Sequence, residues 1–404
     1  MTKTETRKRR PAAQAQPRPR RQGTARAKPW LIGGRADLPF LLLTLMLTVL
    51  GLVMLFSASF PSASYQNGDA TYYLKRQGLF AVVGLIAMVV MSRVNYQKLR
   101  RYALPLLVFS FFLLALVLVP GLGINENGAT RWLGKQGVLT FQPSEIAKLA
   151  IIVYFADSIS KKKNQMESFQ YGIRPYLLIL AVFSGLMLAE PHLSGTILIV
   201  GTGVVLMIVG GVRKEWAIGG IAAVAVAGFS YVKLVEAGII SYGSNRIMMW
   251  EDPFIDALDD GYQMCQSLIA IGSGGLTGVG LGKSRQKFLY LPEEHNDFIF
   301  AVVCEELGLI GATLVMLVFA LLILRGFWIA LQARDRFGSL LVVGIMTQIG
   351  LQTFLNIAVV SGLVPATGIS LPFFSYGGTA LALQLFEMGI VLGVSRQIPA
   401  PRGG

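Results

Sequence analysis

The reactive side chains of this sequence fall in a few short stretches. Gln142-Pro143-Ser144-Glu145-Ile146-Ala147-Lys148 sets a carboxylate and an ammonium three residues apart, a spacing that puts both on one face of a helix. Such a pair can lock helices together or present opposite charges to a substrate. Just upstream, Gly128-Ala129-Thr130-Arg131-Trp132-Leu133 places a guanidinium beside an aromatic ring. Anchoring at a membrane interface is the default explanation of that pairing. A denser group follows: Lys283-Ser284-Arg285-Gln286-Lys287 precedes Pro292-Glu293-Glu294-His295-Asn296-Asp297, so a basic cluster leads into carboxylates. The order suits an anionic ligand and a general base. Asp297 has a second explanation, because an apolar helix begins at Phe298 and Asp is a good N-cap. On residue type alone the cap is at least as good an account.

Two further stretches carry unusual backbone chemistry. Gly272-Ser273-Gly274-Gly275 through Gly282-Lys283-Ser284 is glycine-rich, but a nucleotide-binding loop would need a preceding strand, and none is evident. Tight, re-entrant chain beside a membrane explains the glycines better. Near the end, Pro365 to Thr379 holds two prolines and several glycines together with Ser370 and Ser375, which predicts a broken helix whose polar groups face a cavity or other helices.

The elements that must position these residues are membrane helices. With 53% hydrophobic and 14% charged residues, the chain cannot cover a globule with polar side chains, so its outer solvent is lipid. A bilayer crossing needs about 20 apolar residues. Such runs recur near 39–59, 77–92, 102–122, 144–160, 175–190, 193–212, 216–233, 298–324, 338–360 and 373–395. The expectation is an all-α polytopic membrane protein of about ten helices. Lys and Arg mark cytoplasmic loops. With the N-terminus inside, 26 of the 36 fall on the inner side and 9 on the outer. Both termini are therefore expected in the cytoplasm, and the long segment 236–297, between helices 7 and 8, outside the cell.

The division that follows is a basic tail over residues 1–38, a membrane domain over 39–396 and a short cytoplasmic end over 397–404. The tail is rich in Pro, Ala, Gln and Arg and is expected to be disordered. Its charge is read as a topology signal and a contact for anionic lipid, in preference to nucleic acid. Cys265 and Cys304 could form a disulfide, though nothing supports one. Two isolated histidines, His192 and His295, offer no zinc site.

Taken together these motifs resemble the SEDS family (shape, elongation, division and sporulation), the group of FtsW, RodA and SpoVE, and its FtsW and SpoVE branch more than RodA. The resemblance rests on Ser57-Ala58-Ser59, Gln142-Pro143-Ser144-Glu145 with Lys148, Trp250-Glu251-Asp252-Pro253, Gln263 with Gln266-Ser267-Leu268, and Gly280 through Lys287. It continues through Tyr290-Leu291-Pro292-Glu293, Asp297-Phe298-Ile299-Phe300-Ala301, Glu305-Glu306-Leu307-Gly308, and Leu371-Pro372-Phe373 with Ser375-Tyr376-Gly377-Gly378. It covers roughly residues 39 to 396. Two departures stand out: Pro191-His192-Leu193 replaces the family's usual Pro-Asp-Leu, and Asn296 replaces a usual Thr.

The resemblance implies ten spans in the bacterial plasma membrane, a large outer loop between spans seven and eight, and polymerisation of the lipid-linked peptidoglycan precursor lipid II in division or sporulation. It implies a class B penicillin-binding protein as partner, within a larger set of division proteins. The family's essential loop aspartate corresponds to Asp297, which becomes the general base. Arg131, Lys148, Arg246 and Lys287 become candidates to hold the departing diphosphate. Glu145, Gln286, Glu293 and Ser375 complete the expected substrate contacts, and a divalent cation, Mg or Mn, is a conceivable helper. Rival readings are a lipid II flippase, for which the Glu145–Lys148 pair and the broken helix would line a path, and a non-catalytic scaffold for the transpeptidase.

Overall fold

The computed structural model describes residues 34–126, 129–135, 139–237, 250–259 and 261–398. Arg246, Gly128, most of the basic tail and residues 399–404 lie outside them. Eleven α-helices occur among the described residues: α1 (Leu38–Asn67), α2 (Tyr72–Arg93), α3 (Leu99–Val117), α4 (Pro143–Lys162), α5 (Arg174–Ala189), α6 (Leu193–Val209), α7 (Lys214–Glu236), α8 (Tyr262–Gly274), α9 (Ile299–Gln332), α10 (Arg336–Val360) and α11 (Gly378–Ser395). Each of the ten apolar runs overlaps one helix; α8 is additional and lies inside the long loop. Seven of the described helical segments are long and apolar enough to cross a membrane, and α6 is a shorter apolar helix.

Lipid-type surface is plain on the outward faces. Leu42, Met46, Val49 and Val53 of α1, Val82, Val83, Ile86 and Val90 of α2, and Leu309, Ile310, Leu314, Leu317 and Leu321 of α9 are all exposed. Exposed apolar area on that scale has no place in water. By contrast α4 is buried almost all round from Ala147 to Val153 and packs against α3, α6 and α10. A central helix of this kind can carry Glu145 and Lys148 without facing lipid.

Close helix approach is paid for by small residues. The most extensive packing joins α2 to α11. There a Cβ on Gly84 would fall 2.9 Å from the Ala382 Cα, and one on Gly389 2.6 Å from the Met88 carbonyl oxygen. Side chains that small let backbones meet and gain dispersion contact.

The bundle has two polar ends. At one, Asp37 caps α1 through the Phe40 N–H and takes Arg325 in a bidentate pair at 2.8 and 3.0 Å, while Asp335 caps α10 and accepts the Tyr96 hydroxyl at 2.8 Å. At the other sit the loop regions that carry the expected chemistry. A three-stranded antiparallel sheet, β1 (Gly123–Glu126), β2 (Ala129–Lys135) and β3 (Leu139–Phe141), connects α3 to α4 there. An all-α chain was expected, so this sheet is a correction. Its register pairs Leu133 with Gly123 on one side and Phe141 on the other.

The described part of the long loop, residues 250–259 and 261–297, is a built element. Trp250 donates its indole N–H to the Gly362 carbonyl at 2.9 Å, and Ser267 of α8 donates to Val360 at 2.8 Å. The glycine-rich chain then docks edge-on against α9, which is broken at Gly308 (φ 65°). Val279 and Gly280 N–H groups donate to Glu305 and Glu306 carbonyls at 3.0 and 3.1 Å, and Leu309 and Ile310 donate back to Gly275 and Leu276 at 2.9 and 3.1 Å. A Cβ on Gly278 would fall 2.1 Å from the Glu306 carbonyl oxygen. The glycines therefore serve backbone-to-backbone contact. Cys265 and Cys304 are both free and buried.

Candidate functional site

The polar groups at the loop end of the bundle surround a cavity of about 860 Å³. Much of its lining is charged. Lys148 of α4 is buried and pairs with Glu145 at 2.8 Å. Its ammonium also donates to Gln352 of α10 at 3.3 Å, and Gln352 donates onward to Ser370. A buried pair completed by further hydrogen bonds recovers much of its desolvation cost. Arg131 comes in from β2, its guanidinium donating to the Pro191 carbonyl. The strand presents this side chain to the cavity.

Asp297 lines the same cavity, immediately before α9. The N-cap position of that helix is Phe298 and no side chain caps it. Instead the Asp297 carboxylate faces the cavity, and a Cβ on Gly368 would lie 3.3 Å from its Oδ2. Burial, reinforced by the neighbouring Glu293 carboxylate, pushes its pKa up to about 6 against the opposing pull of Arg131 and His295. The backbone beneath it is pinned. Asn356 of α10 donates to the Asp297 carbonyl at 2.8 Å and to the Ile369 carbonyl at 2.6 Å. Ser375 donates to the Asn296 carbonyl at 2.7 Å and accepts from Leu371 N–H at 2.7 Å, and Tyr376 N–H donates to the His295 carbonyl. Residues 361–377, between α10 and α11, are non-helical, and this broken segment is what the Asp297 loop rests on.

Of the expected site residues, Arg131, Glu145, Lys148, Glu293 and Asp297 line one cavity. Glu293 accepts from the Asn296 amide at 2.6 Å. Ser375 lies beneath the cavity as a backbone tie. Gln286 and Lys287 do not line it. Lys287 is 1% exposed, with its ammonium 2.8 Å from Glu306 and 3.2 Å from the Ser57 hydroxyl. Gln286 gives its N–H to Glu305, which also accepts from Arg285 N–H and the Ser284 hydroxyl. Of the basic cluster, Lys287 thus closes on Glu306 by its side chain, and Arg285 reaches Glu305 only through its backbone. Arg246 lies outside the described residues.

Several lining residues had no assigned role: Arg76 of α2, Gln352, Trp250, Tyr73, Tyr376 and His192. His192 is buried, and burial together with Arg131 and Lys148 holds its pKa down at about 3, so it is neutral. Next to it, Glu190 is 1% exposed with neither carboxylate oxygen hydrogen-bonded, and burial pushes its pKa up to about 8 against the pull of Arg131. No group of three or more His, Cys, Asp or Glu side chains among the described residues could hold a metal ion.

Comparison with known proteins matches residues 38–399 to the family model FtsW/RodA/SpoVE, described as cell cycle protein. The chain is 44% identical over 369 residues to stage V sporulation protein E of Bacillus subtilis, covering 89% of this chain and 97% of the relative. It is 41% identical over 364 residues to a probable peptidoglycan glycosyltransferase FtsW of Geobacter metallireducens, covering 90% and 96%. Among solved structures, a chain from a peptidoglycan synthase complex that coordinates polymerisation and crosslinking superposes with a TM-score of 0.75 at 28% identity, over 90% of this chain and 98% of that one. The rod shape determining protein RodA of Thermus thermophilus superposes with a TM-score of 0.66 at 27% identity, over 91% and 98%.

Proposed function

The chain belongs to the FtsW/RodA/SpoVE family of cell cycle proteins, on its FtsW and SpoVE side, and from that premise we propose that it polymerises lipid II into β-1,4-linked glycan strands. It is a multi-pass bacterial membrane protein. In this reading ten of its helices span the bilayer, both termini are cytoplasmic, and the cavity opens on the outer side. The relatives named as peptidoglycan glycosyltransferases support the activity. The likeness to a chain of a peptidoglycan synthase complex supports a crosslinking partner, a class B penicillin-binding protein.

The observation that carries the proposal is one cavity lined by the Asp297 carboxylate together with the cations Arg131 and Lys148. Asp297 takes the proton of an acceptor 4-hydroxyl as its oxygen attacks the anomeric carbon of the donor. The O4–C1 bond forms while the C1–O(phosphate) bond breaks, and the electron pair leaves with the diphosphate. A single displacement of this kind inverts the anomeric centre. Arg131 and Lys148 stabilise the departing charge, a contribution that is large in a site shielded from water. Glu145 holds Lys148 in place until the anion arrives.

Purified protein with its partner, given lipid II in detergent, tests this directly. Strand synthesis is expected from the wild type, with Asp297→Asn at least a hundredfold slower yet still bound to the partner. Near-normal polymerisation by the mutant would remove Asp297 from the mechanism. A protein that formed no glycan in detergent, yet moved lipid II across vesicles, would favour the transporter reading, because flipping needs a bilayer and polymerisation does not.

A further inference from the structure

We propose that Tyr73, His295 and Tyr376 form the subsite for the acceptor, the sugar that supplies the attacking hydroxyl; this rests on the polymerase reading above. The three rings come from three elements: the first turn of α2, the Asp297 loop, and the segment before α11. They meet at the cavity wall, with ring centroids 4.4 Å apart for Tyr73 and His295, 4.8 Å for Tyr73 and Tyr376, and 6.0 Å for His295 and Tyr376. None is fully buried, so each keeps surface toward the cavity.

A buried carboxylate lies beside the imidazole, and the backbone of His295 is tied. Glu294, 5% exposed, sets a carboxylate oxygen 3.3 Å from Nδ1, and the Tyr376 N–H holds the His295 carbonyl at 2.9 Å. The result is an aromatic surface in which His295 stands two residues before the proposed base.

Chemistry divides the cavity between two ligands. A diphosphate is drawn to the cations Arg131 and Lys148. A pyranose ring presents weakly positive C–H groups on its faces, which suit the negative face of an aromatic ring. The attacking hydroxyl must also come within hydrogen-bond reach of Asp297. A sugar resting on the tyrosine–histidine cluster, which is tied to the Asp297 loop through His295, meets both requirements.

The test separates donor from acceptor. Lipid II with its 4-hydroxyl removed can act only as donor, and a disaccharide methyl glycoside with a free 4-hydroxyl can act only as acceptor. With wild-type complex the pair forms one new β-1,4 bond. Tyr73→Leu is expected to raise the KM for the acceptor probe about tenfold and leave that of the donor probe within twofold, whereas Tyr73→Phe raises the acceptor KM far less. Tyr376→Leu provides the same readout should the first variant fail to fold. An unchanged acceptor KM in a folded leucine variant, or a donor KM that rises as much, overturns the subsite while leaving the polymerase reading intact. Failure of the wild type to join the two probes overturns both.

Discussion

Asp297 accepts a proton only when ionised, and its pKa near 6 puts that requirement inside the working pH range. Turnover should therefore climb with pH through about 6 and level off above, and a pH series on single-turnover strand synthesis checks it. The same shift has a cost in stability. A carboxyl whose folded pKa is raised contributes stability that is complete below its ordinary pKa of 3.8 and lost as pH rises through 6. Glu190 makes a cleaner case, since it lies off the proposed reaction path and its pKa sits near 8. Its stabilising contribution fades as pH rises from about 4.5 through 8, so Glu190→Gln should match the wild type in thermal midpoint at pH 5 and exceed it at pH 9. Equal midpoints at both would contradict the raised pKa. Of these groups Asp297 was legible in the sequence because polar residues stand out at the mouth of an apolar run. Glu190 was not, because a single glutamate at the end of such a run looks like an ordinary boundary residue.

Among elements, the glycine-rich chain and the first turns of α9 form one latch. Lys287 and Glu306 are each 1% exposed, so removing one partner leaves the other charged and buried. Lys287→Met should cost about 3–5 kcal/mol, and Lys287→Met with Glu306→Leu should recover part of the loss, as chemical denaturation in detergent would measure. A double variant no more stable than the single would argue that the pair is not coupled. The partnership could not be read from spacing, because Glu306 lies nineteen residues on, inside what reads as a membrane run. Helices were legible from apolar length alone. The three strands were not, because Gly123–Glu126 and Leu139–Phe141 are too short to show alternation and only the antiparallel register makes them strands. The broken segment before α11 was legible, since Pro365 and Pro372 both bar a continuous helix.

At the level of the whole molecule, the bundle is tied at the end remote from the cavity by Asp37 and Arg325, which join the start of α1 to α9. Arg325 also stacks over Trp328, its guanidinium carbon 3.9 Å from the ring centroid. Arg325→Ala should cost about 2 kcal/mol of stability and leave the KM for lipid II unchanged at permissive temperature. A raised KM would mean that the two ends communicate.

The break at Gly308 has a further consequence for how the molecule sits in its solvent. A straight 34-residue helix would be about 51 Å long, far more than the roughly 30 Å of hydrocarbon it must cross. Residues 299–306 are buried to the last one, and lipid-facing leucines begin only at Leu309. The remaining stretch to Gln332 is about 36 Å, a length that a modest tilt accommodates. Gly308 thus marks where the apolar, exposed length of α9 begins, and the hydrophobic thickness this helix suits is measured from that residue onward. A thinner membrane would press on the latch before it disturbed the bundle, making the depth of the bilayer itself an influence on where Asp297 is held.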